Sequence, residues 1–103
     1  MHTVMWIFKI PTDTTKDMLR QIIKDSAHTY LNIPGLIRKY YGISEDGRAL
    51  TGIYLWETKE QAEAFYTPEW IALVTKRWNS LPARTSWETP MVVESAAGIL
   101  TSS

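Results

Sequence analysis

The stretch P-G-L-I-R-K-Y-Y-G-I-S-E-D-G-R-A-L-T-G-I-Y-L-W, Pro34 to Trp56, reads as two strands joined by a tight turn. Asp46-Gly47 is a hairpin dipeptide: a type I′ turn needs positive φ at both central residues, which Gly adopts freely and Asp tolerates. With these two as the loop, Glu45 faces Arg48, and Ile43 pairs with Leu50, Tyr41 with Gly52, Lys39 with Tyr54 and Ile37 with Trp56. One face of the ribbon then carries Ile37, Lys39, Tyr41, Tyr54 and Trp56. The other carries Leu36, Arg38, Tyr40, Ile53 and Leu55. Neither face is plainly polar, whereas a hairpin lying on a single core alternates apolar-in with polar-out. A chain of 103 residues has enough helix to cover one face of a small sheet, so the second cover is expected from another copy of the chain.

Working outward, Thr3 to Ile10 has the β-branched and aromatic content of a central strand, with Val4, Trp6, Phe8 and Ile10 on one side. Thr12 to Thr15 offer N-caps, and Met18, Leu19, Ile22, Ile23, Ala27, Tyr30 and Leu31 recur at helical spacing, which predicts a helix over Lys16 to Leu31. Thr58-Lys59-Glu60-Gln61 fits a capping box, with Ala62, Phe65 and Tyr66 as the buried stripe behind it. Thr67-Pro68-Glu69 is a second start signal, so the following helix is either kinked at Pro68 or divided there. Its stripe is Trp70, Leu73, Val74, Arg77, Trp78 and Leu81. Thr85 to Glu94 reads as a last strand, and Pro90 within it, which cannot donate to a ladder, indicates an edge position or a bulge. The order is β-α-β-β-α-β, a ferredoxin-like α+β fold with a four-stranded antiparallel sheet backed by helices on one face. It occupies residues 1–94 as one domain, and 95–103 form a tail that is frayed or lies across a partner.

Composition narrows the function classes. Eleven basic and 11 acidic residues give a net charge of zero, which argues against nucleic acid or a membrane surface as partner. The absence of cysteine removes disulfides and thiol chemistry. Two distant histidines and scattered carboxylates give no metal-ligand spacing, and single glycines form no phosphate loop, so neither metal nor cofactor is expected. The apolar run Val4 to Phe8 is too short for a signal peptide or a membrane span, and a cytoplasmic protein is the default.

The motifs P-G-L-I-R-K-Y-Y, G-I-Y-L-W-E, E-A-F-Y and T-P-E-W resemble the dimeric α/β-barrel superfamily, and within it the small monooxygenases of the YdhR type. The similarity runs over roughly Pro34 to Glu94. It implies a homodimer joined through the sheet face and a cofactor-independent oxygenase acting on a small aromatic or polyketide-like substrate. In the oxygenase and haem-degrading branches a Trp ending the third strand lines the pocket, and Trp56 matches that place. The haem degraders hold iron with a histidine on the second helix, whereas this chain has only His2 and His28.

Lys39 is the most informative candidate, since the expected register sets it among Tyr41, Tyr54 and Trp56, and a buried ammonium is costly unless paired. It could hold a phenolate or enolate oxygen or act as a base. Alternatively its stem packs on aromatics while its head reaches solvent or Glu57, Glu88 or Glu94. Tyr54 is the candidate hydrogen-bond donor. Trp56, Tyr41, Trp70, Tyr66 and His28 are candidate substrate-binding residues, each with a structural alternative in core or helix packing. A non-catalytic hydrophobic-ligand binder, a structural dimer, and an isomerase or lyase using the same pocket are the competing readings. A cavity of roughly 300 Å³ or more lined by Lys39, Tyr54 and Trp56 would favour an enzyme or a binder.

Overall fold

Strands β2 (Leu36–Ile43) and β3 (Ala49–Trp56) form the expected hairpin in a computed structural model that describes all 103 residues. The register holds from Ile43↔Leu50 to Lys39↔Tyr54, but the turn is of another type. Ser44 exchanges hydrogen bonds with Ala49, Gly47 N–H donates to Ser44 O at 2.9 Å, and of the loop residues only Gly47 has positive φ, at 73°. Asp46 contributes through its side chain instead: Oδ1 accepts from Ser44 Oγ at 2.7 Å and from Arg48 N–H at 2.9 Å. This loop and a two-residue one bring Ser44 opposite Ala49 alike, which is why the pairing is right although the turn is not type I′.

The far end of the hairpin departs from the count. The ladder shifts between Arg38↔Leu55 and Leu36↔Trp56, leaving Ile37 as an unpaired bulge residue. One extra residue reverses the alternation. Leu36 therefore packs on the core, and Ile37, expected beside Trp56, is exposed.

Strand β1 (His2–Lys9) lies between β3 and β4 (Ala83–Glu88), giving the antiparallel order β2-β3-β1-β4. Its Val4, Trp6 and Phe8, with Ile10, enter the core as expected, joined by Leu50, Tyr54 and Trp56 from β3. The helices α1 (Lys16–Ser26), α2 (Lys59–Phe65) and α3 (Pro68–Trp78) contribute Leu19, Ala62 and Trp78. Thr15, Thr58 and Thr67 cap them, accepting from the amides of Met18, Gln61 and Trp70. The Thr58 box is only half made, because its hydroxyl donates to Gln61 Oε1 and the Gln side chain lies over Gly35. Pro68 divides the second helical region into two pieces, one of the two arrangements its start signal allowed.

Helix α1 is shorter than the apolar spacing suggests. It ends at Ser26, and Ala27–Tyr30 form a 3-10 turn that leaves Ala27 and Leu31 in solvent. Asn32 and Gly35, at φ 60° and 82°, then swing the chain into β2. Leu73 and Leu81 are exposed too. The packed side of α3 is Trp70, Ile71, Val74 and Trp78.

The strand expected over Thr85 to Glu94 is broken by Pro90. Strand β4 stops at Glu88, and β5 (Met91–Glu94) pairs instead with β6 (Ile99–Ser102) in a separate hairpin. The residues of the tail are thus ordered by β5. A contact between the Thr3 and Thr89 hydroxyls and the bond from Thr89 N–H to Met1 O tie the hairpin's base to β1. On the sheet face away from the helices, Arg38 forms an ion pair with Glu94 of β5. That face also presents Met5, Ile7, Tyr40, Ile53 and Trp87, none of them covered by a helix. No helix is long and apolar enough to cross a membrane.

Candidate active site

The register of the hairpin directs Lys39, Tyr41 and Tyr54 to the helix side of the sheet, and the 3-10 turn brings Tyr30 over them. The Lys39 ammonium nitrogen lies 3.3 Å from the ring centroid of Tyr30, 4.0 Å from that of Tyr41 and 4.6 Å from that of Tyr54. Neither Glu57, Glu88 nor Glu94 pairs with it, and Glu94 belongs to Arg38. Burial alone pulls the Lys39 pKa down to about 7. The three π faces oppose that by favouring the charged form.

Tyr54 is fully buried, and its phenol is pushed far above its ordinary pKa, first by burial and then by the neighbouring Tyr30. It is a permanent O–H donor. The Tyr41 pKa is also raised by burial, against a hydrogen-bond contact of 3.3 Å with Ser26 Oγ that lowers it.

Lys39, Tyr41, Tyr54 and Trp70 line one cavity of about 50 Å³ between sheet and helices. It is much smaller than the 300 Å³ that would by itself mark a ligand chamber, and Trp56 is not on its wall. Two larger clefts adjoin it. One of about 410 Å³ opens between the 3-10 turn and α3 and shares Ser26, Tyr30, Trp70, Val74 and Arg77 with the inner cavity. The other, about 280 Å³, lies on the β2 side and shares Tyr30, Lys39 and Tyr41. No carboxylate lines any of the three, while Lys39 and Arg77 both line the inner one.

Trp56 and Tyr66 sit one layer deeper. Trp56 stacks on Tyr54 at 6.3 Å with 12° between planes, and its Nε1–H donates to the Tyr66 hydroxyl at 3.0 Å. They back the Tyr54 ring rather than face the cavity. His28 is exposed on the 3-10 turn and borders none of the three spaces.

Of the lining residues with a hydroxyl or a charge, Ser26, Tyr30, Thr51 and Arg77 were not among the site candidates read from sequence. An arginine within the otherwise apolar α3 stripe was the one available signal. Tyr30 was hidden because it continued the α1 spacing. Gly52 has a clear role as well. A Cβ there would lie 3.0 Å from the Tyr54 ring and in ordinary contact, at 3.5 Å, with Lys39 Cε, so its bare backbone makes room for the Tyr54 ring. Gly52→Val is therefore expected to abolish ligand binding at Lys39 while the far-UV circular dichroism stays native. Unchanged affinity would remove the site from this part of β3.

No family model and no curated relative matches the chain. Solved structures do. A monooxygenase from Streptomyces coelicolor, the product of ActVA-Orf6 solved with nanaomycin D, superposes with a TM-score of 0.64 at 18% identity, covering 85% of this chain and 86% of its own. The likeness is one of fold: a ferredoxin-like α+β domain with a four-stranded antiparallel sheet backed by helices. SnoaB, a cofactor-independent oxygenase from Streptomyces nogalater, gives a TM-score of 0.64 at 13% identity over 91% of this chain and 97% of its own. MhuD, solved with two manganese protoporphyrin IX molecules per active site, gives 0.68 at 18% identity over 92% of this chain and all of its own. One fold has thus been solved with nanaomycin D in one protein and with a manganese porphyrin in another, so the chemistry has to be argued from this chain's own side chains.

Proposed function

We propose that this chain is a cofactor-independent monooxygenase for a small ionisable aromatic substrate, working as a homodimer. The observation that carries the proposal is Lys39: a single amine, without a carboxylate partner, surrounded by three aromatic rings in a cavity with no acidic residue. A neutral Lys39 takes the proton of a phenol or enol, and the resulting ammonium holds the new anion. Tyr54 donates to a substrate carbonyl or oxygen, and Trp70 and Tyr41 flank the ring. An electron-rich anion of this kind reduces dioxygen by one electron, and recombination of the radical pair forms a carbon–oxygen bond. Loss of water from the hydroperoxide leaves a ketone. In balance, written on the keto tautomer of that phenol or enol, R₂CH₂ + O₂ gives R₂C=O + H₂O, with all four electrons supplied by the carbon that becomes the carbonyl.

The chain's likeness in fold to the two Streptomyces oxygenases supports this reading. Pairing of two open sheet faces is supported by their apolar character and by the exposed Met91, Val93, Ile99 and Leu100 of the β5–β6 hairpin. A second reading, a non-catalytic binder or structural dimer, is favoured by the small enclosed volume.

Oxygen uptake on anthrones, quinols and small phenols separates the two. The enzyme consumes one O₂ per ketone formed, and its rate rises as pH passes upward through about 7, where Lys39 loses its proton. Binding of these compounds without oxygen uptake at any pH would establish the second reading.

A further inference from the structure

We infer that Tyr30 is the gate of this site and that its ring occupies the place of the substrate's ring. The inference rests on the reading of Lys39 as the anion-holding group and names what that group first has to release. Tyr30 is the closest of the three rings to the Lys39 nitrogen, and it borders the inner cavity and both adjoining clefts. It is the partition among them. Its own packing is that of an inserted ligand, with the rings of Tyr54, Phe65 and Tyr41 at 5.8, 5.9 and 6.3 Å.

The backbone beneath it is suited to movement. Tyr30 ends a four-residue 3-10 turn that carries no side-chain cap. Asn32 and Gly35, both at positive φ, follow within five residues and separate the turn from β2. A 3-10 turn has poorer hydrogen-bond geometry than an α-helix, so its last residue is held less firmly. When Tyr30 swings out, the small cavity and the two clefts become one space, and the vacated slot accepts one planar six-membered ring. The substrate class that follows is a phenol whose ionised oxygen replaces the Tyr30 π face at Lys39, with any further rings or substituents directed into the cleft beside Arg77. A carboxylate substituent there would meet a guanidinium that forms no ion pair within the chain.

The probe is 4-nitrophenol, whose absorbance separates phenol from phenolate. Its titration into the wild-type protein, Tyr30→Ala and Tyr30→Leu is followed at a pH below its solution pKa. Removing the ring removes the cost of opening, so both variants are expected to bind the phenolate form about tenfold more tightly than wild type. Tyr30→Leu keeps apolar bulk in case the alanine variant folds poorly. In the wild-type protein, stopped-flow rates are expected to level off with rising 4-nitrophenol, because opening precedes binding. Equal or weaker phenolate binding by both variants, together with wild-type rates linear in concentration, would overturn the gate and leave the Lys39 reading standing. Absence of phenolate in all three proteins would overturn the Lys39 reading itself, and the gate with it.

Discussion

Lys39→Met is expected to abolish phenolate binding and oxygen uptake while making the fold more stable. Methionine keeps the apolar stem that packs on Tyr30, Tyr41 and Tyr54 and removes only the amine. Loss of the single group that takes the substrate proton is expected to lower turnover by at least about a hundredfold. The stability effect follows from the direction of the pKa shift. The unfolded lysine titrates near 10.5 and the folded one near 7. Below pH 7 both states carry the proton and the native state bears the full cost of a half-buried charge. Between pH 7 and 10.5 the unfolded state binds more protons than the native one, so stability rises with pH. Lys39→Met removes both the cost and the slope. After allowance for cation–π attraction and partial exposure, the gain at pH 6 is about 2 kcal/mol. Urea denaturation of both proteins at pH 6 and pH 9 checks it. A variant no more stable than wild type at pH 6, or one retaining activity, would separate Lys39 from the proposed chemistry.

Ile53→Glu is expected to convert the proposed dimer into a monomer. Ile53 lies at the middle of the uncovered sheet face, paired with Tyr40 on one side and Met5 on the other. Two copies packed through this face would bring like charges together about the two-fold axis and bury them, which costs several kcal/mol per ion even after relaxation. Sedimentation velocity of wild type and variant reads the result directly. A variant that remains dimeric would place the interface elsewhere, with the β5–β6 hairpin as the first alternative. A wild-type protein that sediments as a monomer would remove the barrel arrangement altogether.

The four-stranded sheet was legible because its signals are local and repeated. The alternation in Val4 to Ile10, the Asp-Gly turn and the capping threonines each reported the same topology. What escaped was whatever depends on a single residue out of step. The bulge at Ile37 exchanges it with Leu36, and no alternation pattern announces a one-residue slip. The α1 spacing ran on past Ser26 because a 3-10 turn keeps nearly the same apolar recurrence while rotating the chain. Pro90 was visible, but whether it marked a bulge or ended the strand depended on β6, whose Ile99 and Leu100 are the only large apolar residues in an otherwise small and polar tail. At the site, hairpin counting was enough to bring Lys39, Tyr41 and Tyr54 together. Tyr30 and Arg77 come from elements distant in sequence, and the direction in which Trp56 and Tyr66 pack was fixed only by the helices above them.

Titration of Lys39 by NMR, following its side-chain 13Cε resonance, tests the central claim most directly. The account predicts a midpoint near 7 in the free protein and a rise when a phenolate binds, because an opposite charge favours the ammonium form. A midpoint in the ordinary lysine range, unmoved by any phenol, would contradict it.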